Sequence, residues 1–171
     1  MINYKKLNQV IEPDSYRIPL MESLVDKIAG ARFVTLFDLC RGFWQLPVAR
    51  DSQKYTAMTT EFGNFCFTAL PMGLKIAPGC FQRLMDTVLA GAESYSCAYL
   101  DDVAVHSDSI EQHIEHVSDV LRRVREAGLT IRAKKCVLGQ GKIQYLGKFV
   151  GGGKFDAIRR KGEGHSRISG S

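Results

Sequence analysis

The chain has 171 residues, 45% of them hydrophobic, which is enough for about one domain with a true core. Its net charge of +5 and pI near 9.0 suit a nucleic-acid partner without identifying one. No apolar run reaches the ~18 residues of a membrane helix, and Met1-Ile2-Asn3-Tyr4-Lys5-Lys6 is not a signal peptide's apolar core, which argues against a membrane or secretory setting.

Cys40, Cys66, Cys80, Cys97 and Cys136 include no CxxC pair. They read as small buried hydrophobes in a reducing, intracellular setting, whether cytoplasm, nucleus or a virus-like particle. Residues 1–18 are polar, with turn signals at Pro13 and Pro19 just beyond. Pro19 and Leu20 open a short helix in which Met21, Leu24, Val25 and Ile28 fall at helical spacing, and Gly30 ends it. Residues 32–39 form a mostly apolar strand. Phe43 to Val48 make a turn and an extended piece limited by Pro47. Tyr55–Thr59 and Asn64–Thr68 suggest a hairpin turning at Glu61-Phe62-Gly63.

Pro71 to Gly79 is a loop, and Pro78 suits the first turn of a helix presenting Phe81, Leu84, Met85, Val88 and Leu89. A strand–acid–strand unit spans residues 95–106. Ser109-Ile110-Glu111-Gln112 then fits a capping box. Ile110, Ile114, Val117, Leu121 and Val124 give the next helix an apolar stripe, stopped by Gly128, with His113 on its solvent side. Leu129-Thr130-Ile131, a basic turn at Lys134-Lys135, and Ile143–Leu146 close the patterned region. Residues 151–171, opening on three glycines, read as a flexible or disordered tail. The order of elements is that of an α+β layer fold: two helices packed on one face of an antiparallel sheet.

Tyr99-Leu100-Asp101-Asp102 carries the chemistry. Two adjacent carboxylates between the apolar runs Ser96–Tyr99 and Val103–Val105 make no sense as core residues, because buried charge is costly unless paired or metal-bound. Most such pairs merely cap a turn. A third acid, Asp38, ends the apolar run Phe33–Phe37. If that strand lies beside the Asp101-Asp102 hairpin, three carboxylates converge, the minimum set for two-metal phosphoryl transfer.

The chain resembles the fingers–palm part of a reverse transcriptase, most closely the gypsy-type LTR retrotransposon and retroviral kind, from about residue 2 to residue 150. Ile2–Asn8 resembles the family's DYRxLN block and Tyr16–Leu20 its YPLP block. Phe37–Leu46 resembles the strand bearing the first metal-binding acid, and Lys54–Met58 the KTAF strand. Leu70–Pro78 with Phe81-Gln82 resembles MPFGLxNAPxxFQ. Tyr99–Asp102 is similar to the active-site hairpin. Gly128-Leu129, Lys134–Cys136 and Tyr145–Gly147 resemble the end of the palm and the primer grip.

The resemblance implies a polymerase palm plus partial fingers, acting as an RNA-directed DNA polymerase. Asp38, Asp101 and Asp102 would be catalytic and hold two Mg²⁺ (or Mn²⁺) ions, with the backbone of Leu39 as a further ligand. Arg41, Gly42, Phe43 and Met72 would bind the dNTP, Phe43 selecting against a 2′-hydroxyl. Gln82, Arg83, Tyr99, Leu100, Lys134 and Lys135 would meet the primer and an RNA or DNA template. The upstream fingers residues that grip the triphosphate, the thumb and the RNase H domain have no counterpart here. The expectation is therefore an N-terminally truncated piece of a retrotransposon polyprotein. A catalytically inactive, nucleic-acid-binding remnant is the alternative. Nothing in the sequence sets an oligomeric state.

Overall fold

The computed structural model describes residues 2–152 together with 156 and 157. Its centre is an antiparallel sheet in the order β4-β5-β1-β6, with β1 at Phe33–Asp38, β4 at Ser96–Tyr99, β5 at Asp102–Ser107 and β6 at Val137–Gln140. Side chains alternate across a strand, and this sheet buries both faces. Val34, Cys97 and Ala104 face one core with Leu24, Val25 and Ile28 of α2 (Met21–Ala29). Phe37, Ala98, Val103 and Val105 face the other core, beneath α4 (Ala77–Val88) and α5 (Ile110–Glu126). The α+β fold, with two helices sharing one face of an antiparallel sheet, is as the sequence implies.

The first face is also covered by a small sheet, β7 (Lys142–Tyr145), β8 (Lys148–Gly151) and β9 (Asp156–Ala157), which contributes Ile143, Tyr145 and Val150 to the core. Gly151 and residues 156–157 thus pair inside the stretch expected to be a tail. The rest of that expectation, residues 153–155 and 158–171, lies outside the described residues.

Several local expectations change. Lys5–Val10 forms a short helix, α1, where only polar turns were expected. Tyr4 and Leu7 seat it against Leu70, Leu74 and Ala77, and the Asn8 side chain clips it to Gly73 O and Lys75 N. The expected extended piece after Phe43 begins as a 3₁₀ turn, Gly42–Gln45, and a four-residue helix α3 (Arg50–Gln53) follows it. The hairpin is shorter than its pattern, with β2 at Met58–Thr60 and β3 at Gly63–Phe65.

The α5 stripe is rotated. His113, Val120 and Val124 are buried, whereas Ile110, Ile114 and Leu121 are exposed. The buried face is displaced by about half of one residue's 100° step, keeping Val117 and Val124 inward and bringing in His113, which has partners there. Its imidazole meets Thr35 Oγ1 at 2.8 Å and Ser107 Oγ at 3.1 Å. His113 is therefore a core residue, not a solvent-facing one. Ser109 does cap the helix, accepting from Gln112 N at 3.3 Å.

Candidate active site

The adjacency that the three acids require is present. β1 and β5 pair antiparallel along their whole length, and Asp38 is the register partner of Asp102. β4 and β5 form the hairpin, with Tyr99 opposite Asp102 and Leu100-Asp101 at its tip. Leu39 N donates to Asp101 O at 2.8 Å, which ties the end of β1 to that tip. Leu100 takes a left-handed φ of 54°, a conformation that non-glycine residues adopt under constraint.

A cavity of about 140 Å³ lies beside the tip, lined by Asp38, Arg41, Gly42, Phe43, Met72, Asp101, Arg132 and Lys135. The sharp turn after β1 builds its floor. Arg41 and Gly42 have φ of 59° and 26°, and a Cβ on Gly42 would lie 3.4 Å from Asp101 Cβ. That spacing is an ordinary contact, and it is the positive φ that favours glycine at this position. Phe43 stands edge-on to Phe81, with centroids 5.8 Å apart, so it has one foot in the core and one in the cavity wall. The Met72 side chain is exposed at the rim.

Electrostatics mark the same point. Asp38 Oδ1 is buried without a hydrogen-bond partner. The nearest cations are Arg132 Nε at 3.6 Å from Oδ1 and Lys135 Nζ at 3.5 Å from Oδ2. Burial, then the neighbouring carboxylates of Asp101 and Asp38, raise the Asp102 pKa above its ordinary value, opposed by Lys135. Burial plus like charge is the usual cause of a carboxyl that resists ionisation, and such perturbed groups gather at functional sites. Hard carboxylate oxygens and an orphaned Oδ1 suit a hard divalent cation. Among the described residues, however, no three His, Cys, Asp or Glu side chains are gathered at ligand distance. Asp38 is held by basic neighbours instead.

The structure thus brings Asp38, Asp101, Arg41, Gly42, Phe43 and Met72 around one cavity, with Leu39, Tyr99, Leu100 and Asp102 flanking it. The expected template contacts are placed differently. Gln82 is fully buried, so it offers no surface to a template. Its amide is committed to Asp86, Ala98 and Leu100. Arg83 is exposed but bonded to Asp14 at 2.6 Å and lies over the Tyr16 ring. Lys134 and Lys135 share a 3₁₀ turn, Ala133–Lys135, and Lys135 turns toward Asp38.

Two participants were missed by the sequence reading. Arg132 lines the cavity, and only its place in a basic run hinted at it. Gln45 clamps the cavity's two supporting loops, donating to Cys40 O at 2.7 Å and accepting from Thr130 N at 2.6 Å. A glutamine in a loop carries no local signal for such a role.

The chain is similar to several known proteins. The enzymatic polyprotein of figwort mosaic virus is 40% identical over 147 residues, covering 86% of this chain and 22% of that polyprotein. The cauliflower mosaic virus (strain NY8153) enzymatic polyprotein is 33% identical over 165 residues, covering 96% and 24%. The Tf2-3 transposon polyprotein of Schizosaccharomyces pombe is 34% identical over 151 residues, covering 88% and 11%. The chain thus spans a quarter or less of the length of these relatives. Among solved structures, the foamy viral protease-reverse transcriptase in complex with RNA/DNA hybrid superposes with a TM-score of 0.86 at 22% identity, over 92% of this chain and 21% of that one. At that identity the likeness speaks for the fold. The family model for reverse transcriptase (RNA-dependent DNA polymerase) matches residues 1–149, and the chain belongs to that family.

Proposed function

We propose that residues 1–150 are the fingers–palm domain of an RNA-directed DNA polymerase of gypsy-type or retroviral lineage, a unit whose small sheet extends to Gly151 and residues 156–157. The reaction is transfer of a dNTP to a primer 3′-hydroxyl. The observation that carries this reading is the register of Asp38 opposite Asp102, with Asp101 at the adjoining tip over a cavity lined by Arg41, Gly42 and Phe43. Three carboxylates at one strand end, facing a basic cleft, suit phosphoryl transfer better than any structural purpose.

Each residue has a share in the work. Asp38 and Asp101, which line the cavity, would be the direct metal ligands, joined by the Leu39 backbone. Asp102, outside the lining, shapes their field. Reverse transcriptases as a family work with divalent metal ions; Mg²⁺ or Mn²⁺ bound here would acidify the primer hydroxyl and offset triphosphate charge. Arg41, Arg132 and Lys135 give the cavity a cationic side that receives the triphosphate. The cavity is smaller than the ~300–1,000 Å³ of sites that enclose whole ligands. The sugar and base therefore sit at its mouth, against Phe43 and Met72. Tyr99 and Leu100 border the primer end, and Lys134 meets backbone phosphate. The foamy viral neighbours hold an RNA/DNA hybrid and double-stranded DNA, and a primed RNA or DNA template is the corresponding partner here. The setting is intracellular or within a particle; among the described residues no helix is long and apolar enough to cross a membrane.

The test is extension of a DNA primer on an RNA template with Mg²⁺ or Mn²⁺. The expected result is metal-dependent dNTP incorporation that Asp101→Asn lowers by about 10²–10³-fold, the scale of losing one electrostatic stabiliser. Equal incorporation by parent and variant overturns the role of Asp101. No incorporation by a folded parent, with salt-sensitive nucleic-acid binding retained, favours the inactive remnant.

A further inference from the structure

Gln82 lies in the second turn of α4 with no exposed surface. A buried amide is tolerated where its donors and acceptor are all used, and here they are. Nε2 donates to Ala98 O at 3.0 Å and to Asp86 Oδ1 at 2.9 Å, while Oε1 accepts from Leu100 N at 2.9 Å. Ala98 and Leu100 bracket Tyr99, where β4 gives way to the tip that carries Asp101. Leu100 is also the hairpin's left-handed residue, at φ 54°. Such a conformation costs about 1–3 kcal/mol and persists only where surrounding bonds over-determine it.

The brace is anchored in turn. Asp86 Oδ2 accepts from Tyr16 OH at 2.5 Å. The Arg83 guanidinium lies 5.0 Å from the Tyr16 ring centroid and donates to Asp14 Oδ1 at 2.6 Å. A continuous polar path therefore runs from the segment before α2, through Asp86 and Gln82, to the backbone amide next to Asp101.

We propose that Gln82 is a positioning residue: through Ala98 and Leu100 it holds the Tyr99–Asp102 turn in its left-handed form and so sets the place of the Asp101 carboxylate. The catalytic consequence rests on the polymerase reading above; the conformational one does not. An ordinary helix-to-sheet fastener would need the bond to Ala98 alone. The bond to the amide of Leu100, the strained residue, is what makes this a lock on the turn.

The experiment combines amide hydrogen exchange with extension kinetics on Gln82→Met and Gln82→Glu in the full chain. Gln82→Met keeps the length and removes all three bonds. Exchange at Leu100 should quicken by about tenfold, the scale of one net hydrogen bond, while β1 and α5 amides hold steady. The kcat for incorporation should fall with KM for dNTP unchanged. Gln82→Glu keeps the acceptor for Leu100 and, when protonated, a donor as well. Ionised, it sets two carboxylates together at Asp86. Because the acceptor survives in either form, the Leu100 amide should exchange more slowly in Gln82→Glu than in Gln82→Met, a difference that a fastener acting through Ala98 alone does not produce. Unchanged exchange at Leu100 in Gln82→Met, equal quickening across the sheet, or equal Leu100 exchange in the two variants each overturns the proposal. If the parent incorporates no nucleotide, the exchange arm still decides the role of Gln82, and the failure belongs to the polymerase reading.

Discussion

Asp102 shows how a single side chain can record a function in its discomfort. Burial and two neighbouring carboxylates disfavour its charge, so its folded-state pKa lies above the unfolded one. Between those values the native state binds more protons than the unfolded state, and stability falls as pH rises through that window from 3.8 upward. At neutral pH Asp102 is thus a net cost to the metal-free fold. Asp102→Asn should raise the metal-free Tm at pH 7 and raise it less near pH 4, as thermal unfolding at the two pH values would record. The Asp-Asp pair was legible in the sequence because charge inside an apolar run has few structural uses. Arg132 and Gln45 were not, because their roles come from loops distant in sequence that meet only in the fold. Gln82 was visible as a motif position, but its burial was not, since an amide on a helix reads as surface until its partners are known.

Among the elements, the strands were the most legible. Continuous apolar runs located β1, β4 and β5, and both neighbours of β1 pair with it antiparallel. Helix α5 shows why periodicity can find an element and misplace its face. Hydrophobicity assigns His113 to solvent, yet the imidazole joins Thr35 of β1 to Ser107 of β5. Ser107 also meets His116 Nδ1 at 2.8 Å, and Gly139 N donates to Thr35 Oγ1 at 3.0 Å. Hydroxyl partners on the sheet, not apolar count, set the helix's rotation. Burial, then His116, lowers the His113 pKa, so the unfolded state takes up protons first as pH drops below 6.5 and stability falls with it. His113→Gln, which keeps a donor and an acceptor without titrating, should flatten this acid loss between about pH 6.5 and 5 in urea unfolding. A residual slope is expected from His106, whose pKa burial also lowers. An unchanged slope would remove His113 from the explanation. The short α1 was missed because six residues give little periodic signal, and tertiary contacts through Tyr4 and Leu7 hold it.

At the scale of the whole molecule, one sheet divides two cores and delivers its acids to a single edge of the structure. The fold supplies a scaffold on which Asp38 and Asp102 are locked by strand register and Asp101 by a braced turn. The carboxylates are nonetheless not drawn into a cage, and Arg132 and Lys135 stand against Asp38. Divalent-cation binding would have to displace those cations from Asp38, or share it with them, so affinity in the absence of nucleotide should be modest. Mn²⁺ titration followed by electron paramagnetic resonance reads this directly on the intact chain. The prediction is saturable binding that Asp38→Asn and Asp101→Asn each weaken at least about tenfold, with Asp102→Asn having a smaller effect. Mn²⁺ affinity that is the same in the parent and in both variants would contradict a metal centre built on these aspartates.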